Sequence, residues 1–279
     1  MTVPDGLAID AGGINHVGVV GYGYVGRGTA HALSEVADVS FHDPAVAGSL
    51  DLTELVARSD ALFVCVPTPM GTSGAADLTI VFELMEKLSK IAADTPIILK
   101  STVPPGTSAV LVRQWPSLPL AFNPEFLRER HSIEDSTSPS RVVLGWTSSI
   151  DLTARSGILD LYTRAFPCAP LIEMDATEAE LLKYASNALF GVKVSFANEM
   201  EELARSLGVT WEPVRRALIL DPRVGDGHLT VPGPDGQRGF GGSCLPKDIA
   251  GLLSLASTVG VELPVIAAAV QANSRRRVG

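Results

Sequence analysis

The chain has 279 residues, enough for one large or two modest domains, and 46% hydrophobic against 19% charged residues exclude a disordered polypeptide. A net charge of −9 argues against non-specific nucleic-acid binding, which needs a basic surface, while leaving room for an anionic small molecule held by a few local Arg and Lys. The three cysteines, Cys65, Cys168 and Cys244, lack metal-ligand spacing, and no uncharged apolar run approaches the ~18–20 residues that span a bilayer, so a soluble, cytoplasmic, metal-free protein is expected.

Residues 1–13 are rich in Gly, Ala and Asp and read as a loose leader; with Asp5 and Asp10 and no Lys or Arg, this stretch lacks a signal-peptide n-region. Val17–Val20 then reads as a short buried strand, followed at once by Gly21-Tyr-Gly23-Tyr24-Val25-Gly26 and a helical pattern through Ala30, Leu33 and Val36. That is Gly-x-Gly-x-x-Gly in its strand–turn–helix setting. Gly21 permits the turn, Gly23 lets a pyrophosphate approach the backbone, and Gly26 lets helix pack on strand, with Tyr24 and Val25 opening the helix whose N-terminus favours anions. The second strand, Val39–His42, leads into Asp43, seventeen residues after Gly26, where a carboxylate accepts hydrogen bonds from an adenosine ribose. No Arg or Lys lies between Asp43 and Arg58 to hold a 2′-phosphate, so NAD is expected rather than NADP.

Further strands are expected at Leu62–Val66, Ile97–Lys100, Leu120–Phe122, Val142–Leu144 and Leu171–Glu173, alternating with helical patterns as in a doubly wound parallel sheet of the Rossmann type. Ligands bind such sheets at the C-terminal strand ends. Three polar, Pro-bearing loops fall there: Pro67-Thr68-Pro69, Ser101-Thr102-Val-Pro-Pro-Gly106 and Asn123-Pro-Glu125-Phe-Leu-Arg-Glu129.

The pattern changes at Asp175, where Asp175-Ala-Thr-Glu178 gives a capping-box-like start to a helix of roughly thirty residues reaching Gly208. This helix reads as a spine between an NAD-binding domain, residues 1–174, and an all-helical central domain, residues 175–279. Lys183 and Asn187 are four apart and share a face, while Leu182, Leu189 and Phe196 are assigned to the core. Helices over Trp211–Ile219, Ile249–Val259 and Pro264–Arg275 complete the chain, and the terminal Arg275-Arg-Arg277 reads as a solvated end.

The most informative stretch is Gly239-Phe-Gly-Gly-Ser-Cys244-Leu-Pro-Lys247-Asp248. Small residues let a substrate approach the sulfur, and a helix starting near Pro246, together with Lys247, favours thiolate over thiol. A thiolate is a strong nucleophile and Asp248 stands close enough in sequence to move protons for it. The plainer alternative is a buried cysteine in a glycine turn.

Taken in order, Gly21–Gly26, Val66–Pro69, Ser101–Thr107, Asn123–Glu129, Lys183 with Asn187, Asp221-Pro-Arg223 and Gly239–Asp248 resemble the motifs of the UDP-glucose/GDP-mannose dehydrogenase family. The resemblance implies oxidation of a primary alcohol to a carboxylate with two NAD+ per turnover, through a thiohemiacetal and then a thioester on Cys244. It implies that Lys183 and Asn187 steady oxyanions and that Asp248, with Thr102 and Glu129, handles water. It places Pro67, Thr68, Ser101 and Thr102 at the cofactor, and Glu125, Glu129, Lys183, Asn187, Arg223, Gly241 and Lys247 at the substrate. A homodimer is implied as well, with Arg223 acting across its interface. Family members normally continue into a third domain that grips the nucleotide; without it, a sugar, sugar phosphate or nucleotide alcohol is the expected substrate. The stretch 227–238, with His228 and Arg238, is either a partial replacement for that wall or a mobile loop. Two rival outcomes are a two-electron oxidation ending at the aldehyde and a non-catalytic NAD-binding protein.

Overall fold

A computed structural model describes residues 13–92, 94–128 and 132–277. The chain divides into two compact units, one made of residues up to Thr68 with Leu78–Lys183, the other of Pro69–Asp77 with the chain from Tyr184 onward.

The first unit contains seven strands: β1 (His16–Val20), β2 (Asp38–His42), β3 (Ala61–Val64), β4 (Ile97–Leu99), β5 (Leu120–Phe122), β6 (Val142–Trp146) and β7 (Leu171–Asp175). Its helices are α1 (Tyr24–Leu33), α2 (Leu52–Arg58), α3 (Thr79–Ile91), α4 (Thr107–Gln114), α5 (Ser132–Thr137) and α6 (Leu152–Ala165). The strands form one sheet in the order β2-β1-β3-β4-β5-β6-β7. Alternate residues of the central strands supply two apolar layers. Leu62, Val64, Ile97, Leu99 and Phe122 meet Leu84, Met85, Leu88 and Leu111 on one face; Phe63, Ile98 and Ala121 meet Leu33, Ile158 and Leu161 on the other. Covering both faces explains why the central strands read as unbroken apolar runs rather than as alternations.

All seven expected strands form. The first five are parallel, but β6 pairs antiparallel to β5 through Ala121↔Trp146 and Phe122↔Gly145, and β7 runs parallel to β6. The sheet is therefore mostly rather than wholly parallel. An antiparallel neighbour begins where its predecessor ends, so the 123–141 connection starts and finishes at the C-terminal edge that also carries the Pro67 and Ser101 loops.

A 31-residue helix, α7 (Ala176–Ser206), leaves β7 and continues into the second unit. Its start is the capping box read from sequence: the Asp175 N–H donates to Glu178 Oε2 at 2.9 Å and the Thr177 N–H to Asp175 Oδ1 at 2.8 Å. The second unit adds α8 (Trp211–Leu218), α9 (Leu245–Thr258) and α10 (Pro264–Ser274). Tyr184, Ala188, Phe240, Ile249 and Leu252 form one small core, and Ala197, Ala204, Trp211 and Leu229 another. A Cβ on Gly191 would stand 2.4 Å from Ile249 Cδ1, so this glycine sets the close approach of α9 to α7.

Two readings of this region need correction. Leu189 and Phe196 are not core residues: they are 58% and 45% exposed, in line with Leu203 at 52%, each seven residues from the last. The hydrophobic pattern alone cannot tell a core stripe from an unpartnered one. The terminal arginines are not a free solvated end either. Arg276 donates twice to the Glu202 carboxylate, at 2.8 Å each, and Arg277 pairs with Asp235.

Candidate active site

In the first unit, the turn after β1 does what its glycines require. Gly21 has φ +89°, a left-handed conformation that disfavours side chains, and its absent Cβ would strike the Cys65 carbonyl. A Cβ on Gly26 would lie 2.0 Å from Gly21 O, so the third glycine lets α1 close on the turn. Gly23 differs: nothing lies within 4 Å of its missing Cβ, and as N-cap it contributes no side chain to the first turn of α1. Open space at the second glycine, flanked by two tightly packed ones, suits a pyrophosphate lying on the helix N-terminus.

Asp43 follows β2 beside this turn. Its Oδ2 accepts from the Tyr22 N–H at 2.8 Å and its Oδ1 from the Ala45 N–H at 3.0 Å, and these donors hold the carboxyl below its ordinary range. An ionised carboxylate fixed to the glycine turn fits a ribose hydroxyl pair, so the residues present fit NAD. The other expected cofactor residues tie neighbouring loops together. Thr68 Oγ1 donates to Thr102 O at 2.8 Å and Ser101 Oγ to Val66 O at 2.7 Å, while Pro67 is exposed and Thr102 half-buried.

Below these loops lies a buried polar cluster that sequence reading missed. Lys100 Nζ donates to Asn123 Oδ1, which also accepts from the Tyr162 hydroxyl at 2.6 Å, while Asn123 Nδ2 donates to Val143 O at 2.7 Å. Burial pulls the Lys100 ammonium down and pushes the neighbouring Cys65 thiol up to about 11. The signal was a Lys closing an apolar strand, Ile97–Leu99. Beside this cluster, Lys183 Nζ donates to both Glu125 O and Glu125 Oε1 at 2.8 Å, with both side chains about 5% exposed or less. Glu125 Oε2 accepts from the Leu127 N–H at 2.7 Å, so the loop is pinned by its own carboxylate and by a lysine from α7. Glu180, also on α7 and also missed, accepts from the Gly106 and Ser108 N–H groups at 2.6 and 2.8 Å, and burial raises its carboxyl to about 7. Glu129 lies outside the described residues.

In the second unit, Cys244 is half-buried and occupies the N-cap of α9, with Pro246 in the first turn and Sγ 3.5 Å from Ser243 Oγ. One turn later Asp248 is 1% exposed; its Oδ2 accepts from Asn187 Nδ2 and its Oδ1 from Lys247 Nζ, each at 2.6 Å. The buried Asn187 and Asp248 and the half-buried Lys247 thus form one group anchored to the helix that Cys244 caps. Gly241 lines the same turn, where a Cβ would meet the Arg277 guanidinium. Arg223 is not brought into this group by any hydrogen bond of the group's members: it is exposed and pairs with Asp221, two residues away. His228 stacks on Phe190 with ring centroids 4.1 Å apart, and Arg238 is engaged with Glu201 and Glu202, so both candidate polar contacts of the 227–238 stretch already have protein partners. None of the three cysteines forms a disulfide, and no described helix is long and apolar enough to cross a membrane.

A glycine-turn cradle on a mostly parallel sheet, continued by a helical unit that carries a capping thiol, defines a dinucleotide-binding dehydrogenase architecture. Residues 31–164 match the NAD binding domain of the UDP-glucose/GDP-mannose dehydrogenase family and residues 177–275 match its central domain; the chain belongs to this family. A UDP-glucose 6-dehydrogenase from Haloferax volcanii is 30% identical over 91% of this chain and 68% of its own. One from Rickettsia felis is 35% identical over 78% of this chain and 48% of its own. Among solved structures, a UDP-glucose dehydrogenase from Pyrobaculum islandicum superposes with a TM-score of 0.84 at 31% identity, covering 97% of this chain and 70% of that one. The chain spans about half the length of several curated relatives it matches.

Proposed function

We propose that this chain oxidises the primary alcohol of a nucleotide sugar, or of a smaller sugar phosphate or nucleotide, to a carboxylate in two NAD-dependent steps, with Cys244 as covalent nucleophile. The observation that carries the reading is the half-buried Cys244 at the N-cap of α9, one turn ahead of an Asp248 held by Asn187 and Lys247. Bound NAD supplies a two-electron acceptor in each oxidation. After the first, Cys244 Sγ adds to the aldehyde carbon and the carbonyl oxygen becomes an alkoxide that takes a proton. After the second oxidation the group on sulfur is a thioester; water adds to its carbon, the C–S bond breaks, and the thiol is restored as the acid leaves.

Lys183 and Asn187, one turn apart on α7, serve these oxygens. An ammonium has three donors and Glu125 uses two, leaving one for the substrate. A well-placed oxyanion donor is worth about 3 kcal/mol in the transition state. Asp248 keeps one face of the water in place and takes its proton, a task that needs a carboxylate fixed by its neighbours, as this one is. Thr102 and Glu129 assist, and Gly241, Lys247, Glu125 and Arg223 contact substrate. A homodimer along the exposed Leu189, Phe196 and Leu203 stripe of α7 belongs to the same reading, as does a reducing, cytoplasmic setting that keeps Cys244 a thiol.

The test is NADH release with nucleotide sugars, nucleotides and sugar phosphates, with product mass recorded. Two NADH and a carboxylate per turnover are expected. One NADH with a free aldehyde would replace the covalent mechanism by a two-electron oxidation, and NAD binding without turnover across the panel would sink the catalytic reading.

A further inference from the structure

The turn that leads to Cys244 is held by side chains remote from it in sequence. Gly239 and Phe240 have four backbone polar groups, and all four are met by side chains. The Gly239 N–H donates to Asn198 Oδ1 at 3.2 Å, and Gly239 O accepts from Arg277 Nη1 at 3.3 Å. The Phe240 N–H donates to Asn273 Oδ1 at 2.7 Å, and Phe240 O accepts from Asn273 Nδ2 at 3.0 Å. Asn273 therefore grips one residue from both sides, as a neighbouring strand would. Gly239 sits at φ +74°, and a Cβ there would stand 2.3 Å from Asn273 Oδ1, so the glycine is what admits the amide. The Phe240 ring is buried with Tyr184, Ala188, Ile249 and Leu252, which fixes the other side of the same residue. Between this clamp and Cys244 lie only Gly241, Gly242 and Ser243, and Gly242 has open space at its missing Cβ. The clamp at Phe240 thus fixes the backbone four residues before the sulfur.

We propose that Asn273, on α10, is a positioning residue for Cys244, acting through the Phe240 backbone to hold the thiol where it can attack. The inference rests on Cys244 being the nucleophile. Asn273 reaches the Phe240 backbone, and its part is geometric. An offset of ~1 Å in an attacking atom can cost about a hundredfold in rate, so a loosened turn lowers turnover much further than it weakens the single substrate contact assigned to Gly241.

The test compares the native chain with Asn273→Ala and Asn273→Asp. The aspartate is nearly isosteric and keeps the acceptor for the Phe240 N–H, but it loses the donor to Phe240 O. Three quantities are read: alkylation of Cys244 by iodoacetamide, located by peptide mass spectrometry; hydrogen exchange at the Phe240 amide; and kcat and KM for NADH formation. In the native chain the Phe240 amide is expected to be strongly protected. In Asn273→Asp, Cys244 should alkylate about fivefold faster as the turn opens, and kcat should fall about tenfold with KM within about twofold; Asn273→Ala should exceed both. If the alanine variant does not fold, the aspartate decides. An unprotected Phe240 amide in the native chain would overturn the proposal, as would a folded variant with unchanged alkylation and kcat. Equal shifts in kcat and KM, accompanied by a lower melting temperature, would overturn it too, since they mark a merely structural role. Should the native chain turn over no substrate while alkylation and exchange shift as expected, the clamp stands and the proposed function fails by itself.

Discussion

The two glycine-rich turns of this chain look alike in sequence and are held in place differently. The Gly21–Gly26 turn takes its shape chiefly from its own glycines packing against their neighbours, with Gly26 against the Gly21 carbonyl and Gly21 against the Cys65 carbonyl, and one remote side chain, Asp43, holds its Tyr22 N–H. The Gly239–Cys244 turn is externally held, by Asn198 on α7 and by Asn273 and Arg277 at the C-terminal end of the chain. A turn that must present backbone to a phosphate needs little more than the absence of side chains. One that must present a single sulfur atom needs to be fixed in position, and glycines cannot supply that.

The largest expected effect tests what the second turn is for. Cys244→Ala should abolish acid formation while leaving NAD affinity unchanged, measured as product mass and by calorimetric titration; acid still formed by the mutant would end the covalent mechanism. The first turn gives a sharper contrast within itself. Gly26→Ala drives a methyl onto a backbone carbonyl and should cost about 1–3 kcal/mol of stability along with NAD binding. Gly23→Ala points into open space, so its melting temperature should hold while NAD affinity drops at least about tenfold, equal to ~1.4 kcal/mol. A Gly23→Ala variant that binds NAD normally would show that the pyrophosphate does not lie there. Smaller again is Asp43→Ala. The carboxylate both anchors the Tyr22 N–H and faces the ribose position, so affinity for NAD and NADP should both fall, NAD about tenfold further. Equal losses would leave Asp43 with the anchoring role alone.

The difference between the turns also explains what could be read before folding. The strands, the glycine turn and its acid were legible because each is encoded locally: an apolar run, a spacing, a residue at a strand end. The Cys244 motif was legible as a motif, and Asp248 and Asn187 do meet, 61 positions apart. What was hidden is pairing across the chain. Nothing in the local pattern of α10 marks Asn273, and nothing marks Lys100 as the partner of Asn123 and Tyr162, because the choice of partner is made by tertiary packing. Leu189 and Phe196 failed for a related reason: a helical stripe looks the same whether or not a neighbour covers it.

Glu180 offers a third junction, and the smallest effect. The turn into α4 ends in Gly106, and the Gly106 and Ser108 N–H groups are capped by a carboxylate more than seventy positions away on α7, so this junction is externally held like the Cys244 turn. Here the holding group is titratable. Burial raises its carboxyl from an ordinary 4.5 to about 7, so between those values the folded chain binds a proton that the unfolded chain releases. The stabilisation linked to that proton is fully present below pH 4.5 and is lost as pH rises through about 7, a change on the order of 3 kcal/mol. Glu180→Gln cannot ionise. It keeps one acceptor oxygen, places an amide against the second N–H, and should start less stable than the native chain at pH 5. Its urea midpoint should then stay level towards pH 8 while that of the native chain falls. If both proteins lose stability in parallel over that range, the carboxylate is not the titrating group. If neither does, Glu180 is ionised throughout, and the two backbone donors at the start of α4 outweigh its burial.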